Sequence, residues 1–347
     1  MKSNYKLKCK HEDFIVNEVP LLPCLSPQKS SRYTYFWLKK KGLTTFDAQE
    51  IIAKFFEVNQ LDINVEGLKD EDAITFQIFS IKKILRKRII NGFNQKLQPG
   101  LKIESIIGYG KEPVNEKFLH GNTFVITIRN LDKSIAHEFH NLVLSTRLFP
   151  FINYYDNQRF GLAGGPYNTH LIGKSIVKND WERAFFEFQK SGNNIRKNEP
   201  LIKKGTSRKN YKNFFKTISP KKVAFFVSSY NSYLWNNEAS RLVEKFNKGE
   251  LEHFNGVGDL FIPRSLSFYS TSTCQVKGHH FDKNNFKIEP KTDIRSLVVN
   301  TNIYSTNLNE DELNKSKWKV EISFFLPTGC YATMLIKQIF LRYFKKV

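Results

Sequence analysis

The run from Ala73 to Ile81 alternates apolar and polar side chains, the period of a β-strand. Directly before it stands Gly67-Leu68-Lys69-Asp70-Glu71-Asp72. A glycine, a lysine and a carboxylate therefore meet at a strand mouth, where loops on a rigid scaffold usually carry function. The neighbouring elements follow from the same kind of pattern. Phe14, Val16 and Val19 mark a strand that ends at Pro20. Tyr33 to Leu38 marks a second, aromatic strand, cut by Lys39-Lys40-Lys41-Gly42. Thr44-Thr45 offers an N-cap, with Asp47 near the positive helix end, for a helix through Phe56. Its buried stripe is Ile51, Ile52, Phe55 and Phe56. Strand periodicity returns at Thr123–Arg129, and a helix over 134–149 carries Ile135, Phe139, Leu142 and Val143 until Pro150 stops it. Near the end, Lys319–Leu326 reads as a strand, Pro327-Thr328-Gly329 as a turn and Tyr331–Tyr343 as a helix. The first 150 residues thus alternate strands and helices without the glycine fingerprint of a dinucleotide fold. The fold class expected is α+β, with a mixed or antiparallel sheet.

Charge narrows the partner. Against 33 Asp+Glu stand 54 Lys+Arg, a formal +21, and such an excess concentrates phosphates. A membrane surface is the competitor, but no long amphipathic basic helix supports it. No apolar run approaches the roughly 18 residues of a membrane span, and Met1-Lys2-Ser3-Asn4-Tyr5-Lys6 holds no apolar signal core. Cys9, Cys24, Cys274 and Cys330 show neither CxxC nor metal-like spacing, which fits a reducing compartment. A soluble cytoplasmic protein that binds nucleic acid is expected. From Ile195 to Lys222 there are ten basic residues and one acid, Glu199, interrupted by Tyr211, Phe214 and Phe215. This stretch is either an RNA-facing element whose aromatics stack on bases or a solvated, mobile basic face. A second run, Lys82, Lys83, Arg86, Lys87, Arg88 and Lys96, follows the aspartate loop and is the better candidate for gripping an RNA backbone.

Several familiar patterns fail. Gly173-Lys174-Ser175 ends like a phosphate-binding loop, but Asn168 stands where its leading glycine is required. His137-Glu138-Phe139-His140 is not HExxH and reads as a polar helix face; His279-His280 reads as a loop pair. No metal, nucleotide cofactor or acyl-transfer nucleophile is expected. Asp70 taken alone is a turn residue or a cap; as a working carboxylate it would have its pKa lowered by Lys69. Asn153-Tyr154-Tyr155-Asp156-Asn157-Gln158-Arg159-Phe160-Gly161 also carries two readings. It is a strand-to-loop passage packing two tyrosines, or a base pocket. In the pocket Asn153 both donates and accepts, Tyr155 stacks and Arg159 supplies a fixed cation. Unstacking a nucleotide costs a few kcal/mol, and one aromatic stack returns about 1–3 kcal/mol.

With these residues in view, the chain resembles the TruD family of pseudouridine synthases. Four blocks carry the likeness: Glu12-Asp13-Phe14-Ile15-Val16-Asn17-Glu18; Gly67-Leu68-Lys69-Asp70 with Ala73, Thr75 and Gln77; Asn153 to Gly161; and Phe325-Leu326-Pro327-Thr328-Gly329-Cys330-Tyr331-Ala332-Thr333. Gly42 to Thr45, Gly121-Asn122-Thr123-Phe124 and Ser232-Tyr233-Leu234-Trp235-Asn236 add weaker support. The resemblance implies a pseudouridine-synthase α+β fold with a mixed, largely antiparallel sheet, formed by 1–178 and 306–347. A TruD-specific α/β domain would be inserted at about 179–305. It further implies isomerisation of uridine to pseudouridine in transfer RNA, at uridine 13, with no cofactor or metal; separately, a monomer is expected. Asp70 matches the catalytic aspartate, Asn153 a residue that orients it and Tyr155 an aromatic that stacks on the target base. Arg159 falls in the same block as Tyr155. Lys8 matches a basic residue ahead of the Glu-Asp-Phe block. Phe14 and Tyr331 fall where the family places further aromatics around the substrate, with core packing as their plain alternative.

Three departures stand out. Tyr155-Asp156 replaces a common Phe-Gly, Tyr331 replaces a Phe, and Lys337-Gln338 replaces an Arg-Glu pair, which leaves an ion pair there open. The rival class is a non-catalytic RNA-binding or RNA-folding protein on the same scaffold; a mere binder need not keep both Asp70 and Asn153. A DNA-binding protein is a more distant rival that lacks any helix-turn-helix or zinc pattern.

Overall fold

A computed structural model describes residues 5–21, 30–67, 69, 71–96, 99–161, 165–191, 208–266 and 272–344. The chain divides into two units, one of residues 2–149 with 301–329, the other of residues 150–300 with 330–347.

In the first unit the strands are β1 (Phe14–Pro20), β2 (Tyr33–Lys41), β3 (Ile63–Val65), β4 (Ile74–Ile81), β5 (Leu101–Gly110), β6 (Leu119–Leu131), β7 (Ile303–Glu310) and β8 (Trp318–Pro327). They form one eight-stranded sheet in the order β7-β8-β6-β1-β4-β2-β5, with β3 also paired to β4. Only β1 and β4 run parallel, with Ile15 opposite Ile74; the remaining pairs are antiparallel. The sheet is mixed and largely antiparallel, as expected. Helices α1 (Thr45–Phe56), α2 (Lys87–Gln95) and α3 (Lys133–Ser145) accompany it. Thr44 caps α1: its hydroxyl accepts from the Asp47 N–H at 3.1 Å, and the Asp47 carboxylate accepts from the Thr44 N–H at 3.1 Å. Phe36, Leu38, Ile52, Phe56, Phe79 and Phe93 join α1 and α2 to the strands in one core.

Two expectations need correcting here, on β2 and α3, and β4 is more fully buried than its alternation alone requires. The lysines after Leu38 do not cut β2, because Lys40 is buried and its ammonium finds carbonyl partners. β4 is not half-exposed: between β1 and β2 it is covered on both faces, so Thr75, Gln77 and Ser80 are interior polar groups. Helix α3 stops at Ser145, well before Pro150. Pro150 disfavours helix for the residue ahead of it, and Phe149–Ile152 is a short strand instead. On α3 the two histidines face strands rather than a metal. His137 lies 5.0 Å from the Trp318 ring, and His140 shares a 2.7 Å hydrogen bond with Ser305.

Asp13, from the Glu-Asp-Phe block, is structural. It is buried beneath Arg129, whose guanidinium reaches it at 2.8 Å and Asp311 and Glu312 at 2.8 and 3.0 Å. Burial opposes ionisation of Asp311, but the N–H groups of Asn130 and Leu313, with Asn314 and Arg129, outweigh it and hold its pKa low. Hydrogen bonds from Arg129 and Lys319 likewise hold Glu312 well below the carboxylate range.

The second unit contains α4 (Thr169–Val177), α5 (Trp181–Lys190), α6 (Arg208–Thr217), α7 (Pro220–Phe246) and α8 (Ala332–Tyr343). Its strands pair as Gly249–Phe254 with Gly258–Pro263, Thr273–Asp282 with Lys287–Ser296, and Phe149–Ile152 with Val298–Thr301. His279-His280 therefore lies in a strand and not in a loop. Gly173 is a packing residue on α4, since a Cβ there would lie 1.9 Å from the Phe226 carbonyl oxygen of α7. The expected insertion, 179–305, falls in this unit apart from 301–305, and the unit also takes in 150–178 and α8.

The aromatic-basic stretch comes out differently from the base-stacking reading. Tyr211, Phe214 and Phe215 sit at helical spacing on α6 and are buried with Trp181, Phe185 and Phe226. Lys212 and Lys216 lie over the Trp181 and Phe286 rings, at 5.6 and 6.0 Å from their centroids. Residues 195–207 of the stretch lie outside the described residues. Also among the described residues, no helix is long and apolar enough to cross a membrane, and no three His, Cys, Asp or Glu side chains gather as a metal-binding group.

Candidate active site

Leu68 and Asp70 lie outside the described residues, but the chain around them is held at four points. Gly67 has φ +71°, a conformation that glycine adopts without strain, and the buried Gln77 amide of β4 donates to its carbonyl at 3.0 Å. The Lys69 N–H donates to the Thr45 hydroxyl at 3.1 Å, at the first residue of α1. Lys40, with 0% of its surface exposed, donates from its ammonium to the carbonyls of Leu43 at 3.0 Å and Lys69 at 3.3 Å. The carbonyl of Lys69 belongs to the peptide group that continues into Asp70. Fourth, the Lys69 ammonium lies 2.9 Å from Glu18 on β1, with side-chain exposures of 13% and 2%. Lys69 was expected to lower the pKa of Asp70; its ion-pair partner in the structure is Glu18. The second Glu18 oxygen accepts from the Ile78 N–H at 2.7 Å, so this buried carboxylate is compensated on both sides.

Lys8 and Phe14 come together in the same unit. Lys8 has φ +57°, an uncommon conformation for a residue with a side chain, and its ammonium stands 4.5 Å from the Phe14 ring centroid. Phe14 itself is 3% exposed and packs edge-on to Phe124 at 6.1 Å. Core packing describes this ring.

In the second unit Asn153, Tyr155, Arg159 and Tyr331 gather around one another. Asn153 follows the short strand Phe149–Ile152; its N–H donates to the Leu297 carbonyl at 2.9 Å and its side-chain amide to the Ser296 carbonyl at 3.3 Å. Asn236 of α7 grips the Tyr155 backbone from both ends, accepting its N–H at 2.8 Å and donating to its carbonyl at 2.9 Å. Trp235 and Tyr331 meet the Tyr155 ring at steep angles, each with centroids 5.9 Å away. Arg159 is fixed by the hydroxyls of Ser232, at 3.0 Å, and Ser228, and its guanidinium carbon lies 5.8 Å from the Tyr155 centroid. The two earlier readings of this segment divide between its tyrosines. Tyr154 is core, with its hydroxyl on the Phe261 carbonyl at 2.9 Å, while Tyr155 is half-buried amid polar and aromatic groups. Burial raises the Tyr331 phenol and pushes the Cys330 thiol up to about 11, so both stay protonated near neutrality.

A family model of tRNA pseudouridine synthase D (TruD) matches residues 3–191, more than half of the chain and both motif blocks at 67–77 and 153–161. The chain belongs to the TruD family of tRNA pseudouridine synthases. A Methanococcus maripaludis protein named as a probable tRNA pseudouridine synthase D is 27% identical, over 96% of this chain and 99% of that protein. A tRNA pseudouridine synthase D of Leptospira interrogans is 26% identical, over 97% and 96%. The crystal structure of a Methanosarcina mazei protein, given as a candidate TruD, superposes with a TM-score of 0.58 at 20% identity. That match covers 97% of this chain and 94% of the other, and it shows the shared fold.

The departures from the TruD pattern explain one another. Asp156 is fully buried, yet its oxygens accept from the Lys337 ammonium at 2.6 Å, the Asn157 N–H at 2.7 Å and the Thr333 hydroxyl at 2.5 Å. Its charge is matched inside the protein and does not oppose an incoming phosphate, and the ion pair left open at Lys337 exists with this new partner. Gln338 next to it is used as an amide: it accepts the Ile152 N–H at 2.9 Å and donates to the Ile152 carbonyl at 2.7 Å. An ionised glutamate could not make the second bond.

The contacts made by Ser228, Ser232 and Asn236 on α7, and by Arg295 on the strand Lys287–Ser296, were not read from the sequence, although Ser232 and Asn236 lie in a block that supports the resemblance. The α7 trio did leave a signal, because small polar residues four apart form a stripe on an otherwise aromatic helix. Arg295 left none.

Proposed function

We propose that the chain, as a cytoplasmic monomer, isomerises uridine 13 in the D stem of transfer RNA, with Asp70 acting on an extruded nucleotide. The N1–C1′ bond breaks, the uracil turns, and a C5–C1′ bond forms while N1 takes up a proton and C5 loses one. Substrate and product are isomers, so no oxidant, reductant or group donor enters the balance. Asp70 assists either by attacking C1′ or by removing the C2′ proton to give a glycal; both routes need it ionised. Tyr155 stacks on the uracil and keeps the detached base from escaping, Arg159 supplies a fixed cation beside it, and Asn153 orients the carboxylate. Exposed Lys82, Lys83, Arg86, Lys87, Arg88 and Lys96 grip the phosphate backbone.

The observation that supports catalysis over simple RNA binding is the anchoring of the Asp70 loop. Burying Lys40 and the Glu18–Lys69 pair costs desolvation energy, which a binding surface has no need to spend on a loop position. A reacting carboxylate does need such precision, since misplacement by 1 Å can cost on the order of 100-fold. The test is pseudouridine formation in an unmodified tRNA transcript by the purified chain and by Asp70→Asn. The wild type is expected to modify the D stem. The variant should lose about 10³-fold or more while binding the RNA within a few-fold of wild type. An Asp70→Asn protein that still turns over, or a wild type that binds tRNA and never modifies it, removes the reading.

A further inference from the structure

We infer that Arg295 is a positioning residue for the pseudouridine site, and that the segment Arg295-Ser296-Leu297 is the clamp that sets Asn153 and Tyr155 in place. One Arg295 Nη2 donates both to the Asn153 side-chain carbonyl at 2.6 Å and to its main-chain carbonyl at 2.8 Å. The next residue, Ser296, takes the Asn153 side-chain N–H at 3.3 Å, and the one after, Leu297, takes its backbone N–H at 2.9 Å. Three consecutive residues thus hold Asn153 by its main-chain N–H and carbonyl, its side-chain carbonyl and one of its two side-chain N–H bonds. Because the guanidinium can only donate, it fixes which end of the amide is oxygen. The amide cannot flip without setting donor against donor at Arg295.

The same guanidinium carbon lies 3.9 Å from the Tyr155 ring centroid and 5.2 Å from that of Trp235. A planar cation at that distance holds the aromatic ring by its face. Arg295 therefore couples the two side chains that the proposed function uses for orienting and for stacking. It sits 142 residues from Asn153 in sequence. Through it, the stretch expected to be an insertion supplies part of the housing of the site. A lysine could keep the charge and donate twice from its one nitrogen, but it could not make the flat contact with Tyr155.

This inference rests on the pseudouridine-synthase reading, so its test separates the two. Full-length wild type, Arg295→Ala and Arg295→Lys are compared on one tRNA transcript for kcat, for Kd across a salt series and for Tm. The crystal structure of Arg295→Ala is determined as well. With Tm retained, both variants are expected to lose about tenfold or more in kcat, with Kd within about twofold and an unchanged salt slope. Added guanidinium should restore part of the kcat of Arg295→Ala, and Asn153 should leave its place in the crystal. The inference is overturned by kcat within about twofold of wild type in both variants, or by full rescue with lysine. It is equally overturned by a loss confined to Kd with the salt slope reduced by about one, which marks a phosphate contact. If the wild type itself forms no pseudouridine, the proposed function fails, and the crystal structure still decides the clamp: an Asn153 that stays in place without Arg295 overturns it.

Discussion

The Asp70 loop and the Asn153–Tyr155 segment are held by opposite strategies. The loop is fastened by strands of its own sheet and the helix beside it, through long buried side chains (Lys40, Gln77, Glu18) that reach main-chain atoms or a neighbouring charge. The segment is fastened from elements about 75 to 180 residues away, α7, the strand Lys287–Ser296 and α8, through amide, hydroxyl and guanidinium groups. The first arrangement belongs to the sheet scaffold; the second exists only once distant chain has packed. The difference teaches that Gly67 and Lys69 can be anchored from within one sheet and its helix, whereas the Asn153–Tyr155 segment needs the packed second unit.

The sharpest way to break this comparison is to cut the loop's anchors without touching the pocket. Gln77→Leu or Lys40→Met should lower kcat by about 100-fold while tRNA affinity stays within a few-fold. An equal rise in Kd would mean that the anchors serve binding. On the other side, Tyr155→Ala should cost roughly 5- to 100-fold in activity, the worth of one base stack, and Tyr155→Phe about threefold at most. Equal activities for the two would end the stacking role.

Stability sharpens the contrast further. Asp156→Ala or Lys337→Met each leaves a buried or half-buried charge unmatched and should destabilise by about 3 kcal/mol, read as a fall in Tm. The double variant should recover much of the loss, and additive losses would show that the pair is not coupled. In the first unit, Asp311 and Glu312 have pKa values depressed by folding, so their contribution is present above the unfolded carboxylate value of about 4 and is lost as pH falls below it. Acid denaturation should therefore show a steep loss of Tm below about pH 4 that is shallower in Arg129→Met. The smallest effect expected is at the surface, where Lys87→Ala and Arg88→Ala should each reduce the salt slope of tRNA binding by about one. An unchanged slope would place the RNA elsewhere.

Much of the sheet unit was legible because its strands and caps obey local rules. The run Phe14 to Pro20, the Thr44 cap with Asp47 and the terminal strand-turn-helix all appear where periodicity puts them. The failures share one cause, tertiary context reassigning polar residues. Lys39 to Lys41 look like a strand breaker until Lys40 is seen to have carbonyl partners, and Thr75 and Gln77 look solvent-facing although both are fully buried in β4. Tyr211, Phe214 and Phe215 drew attention for the lysines between them, although their spacing of three and four already fitted a buried helix stripe. For the site, the motif residues were readable from resemblance. Arg295 was not, since one arginine in a polar strand differs in nothing local from its neighbours Lys287 and Lys291.

Asp156 and Gln338 also bear on how this enzyme could be re-engineered. Replacing either one alone with the residue more usual in TruD proteins would move toward the average sequence and away from this fold's own solution. Glycine at 156 would strand the Lys337 ammonium, and glutamate at 338 would set a carboxylate oxygen against the Ile152 carbonyl. Consensus design, applied one position at a time, would here weaken the protein it is meant to strengthen; these positions have to be exchanged as a set.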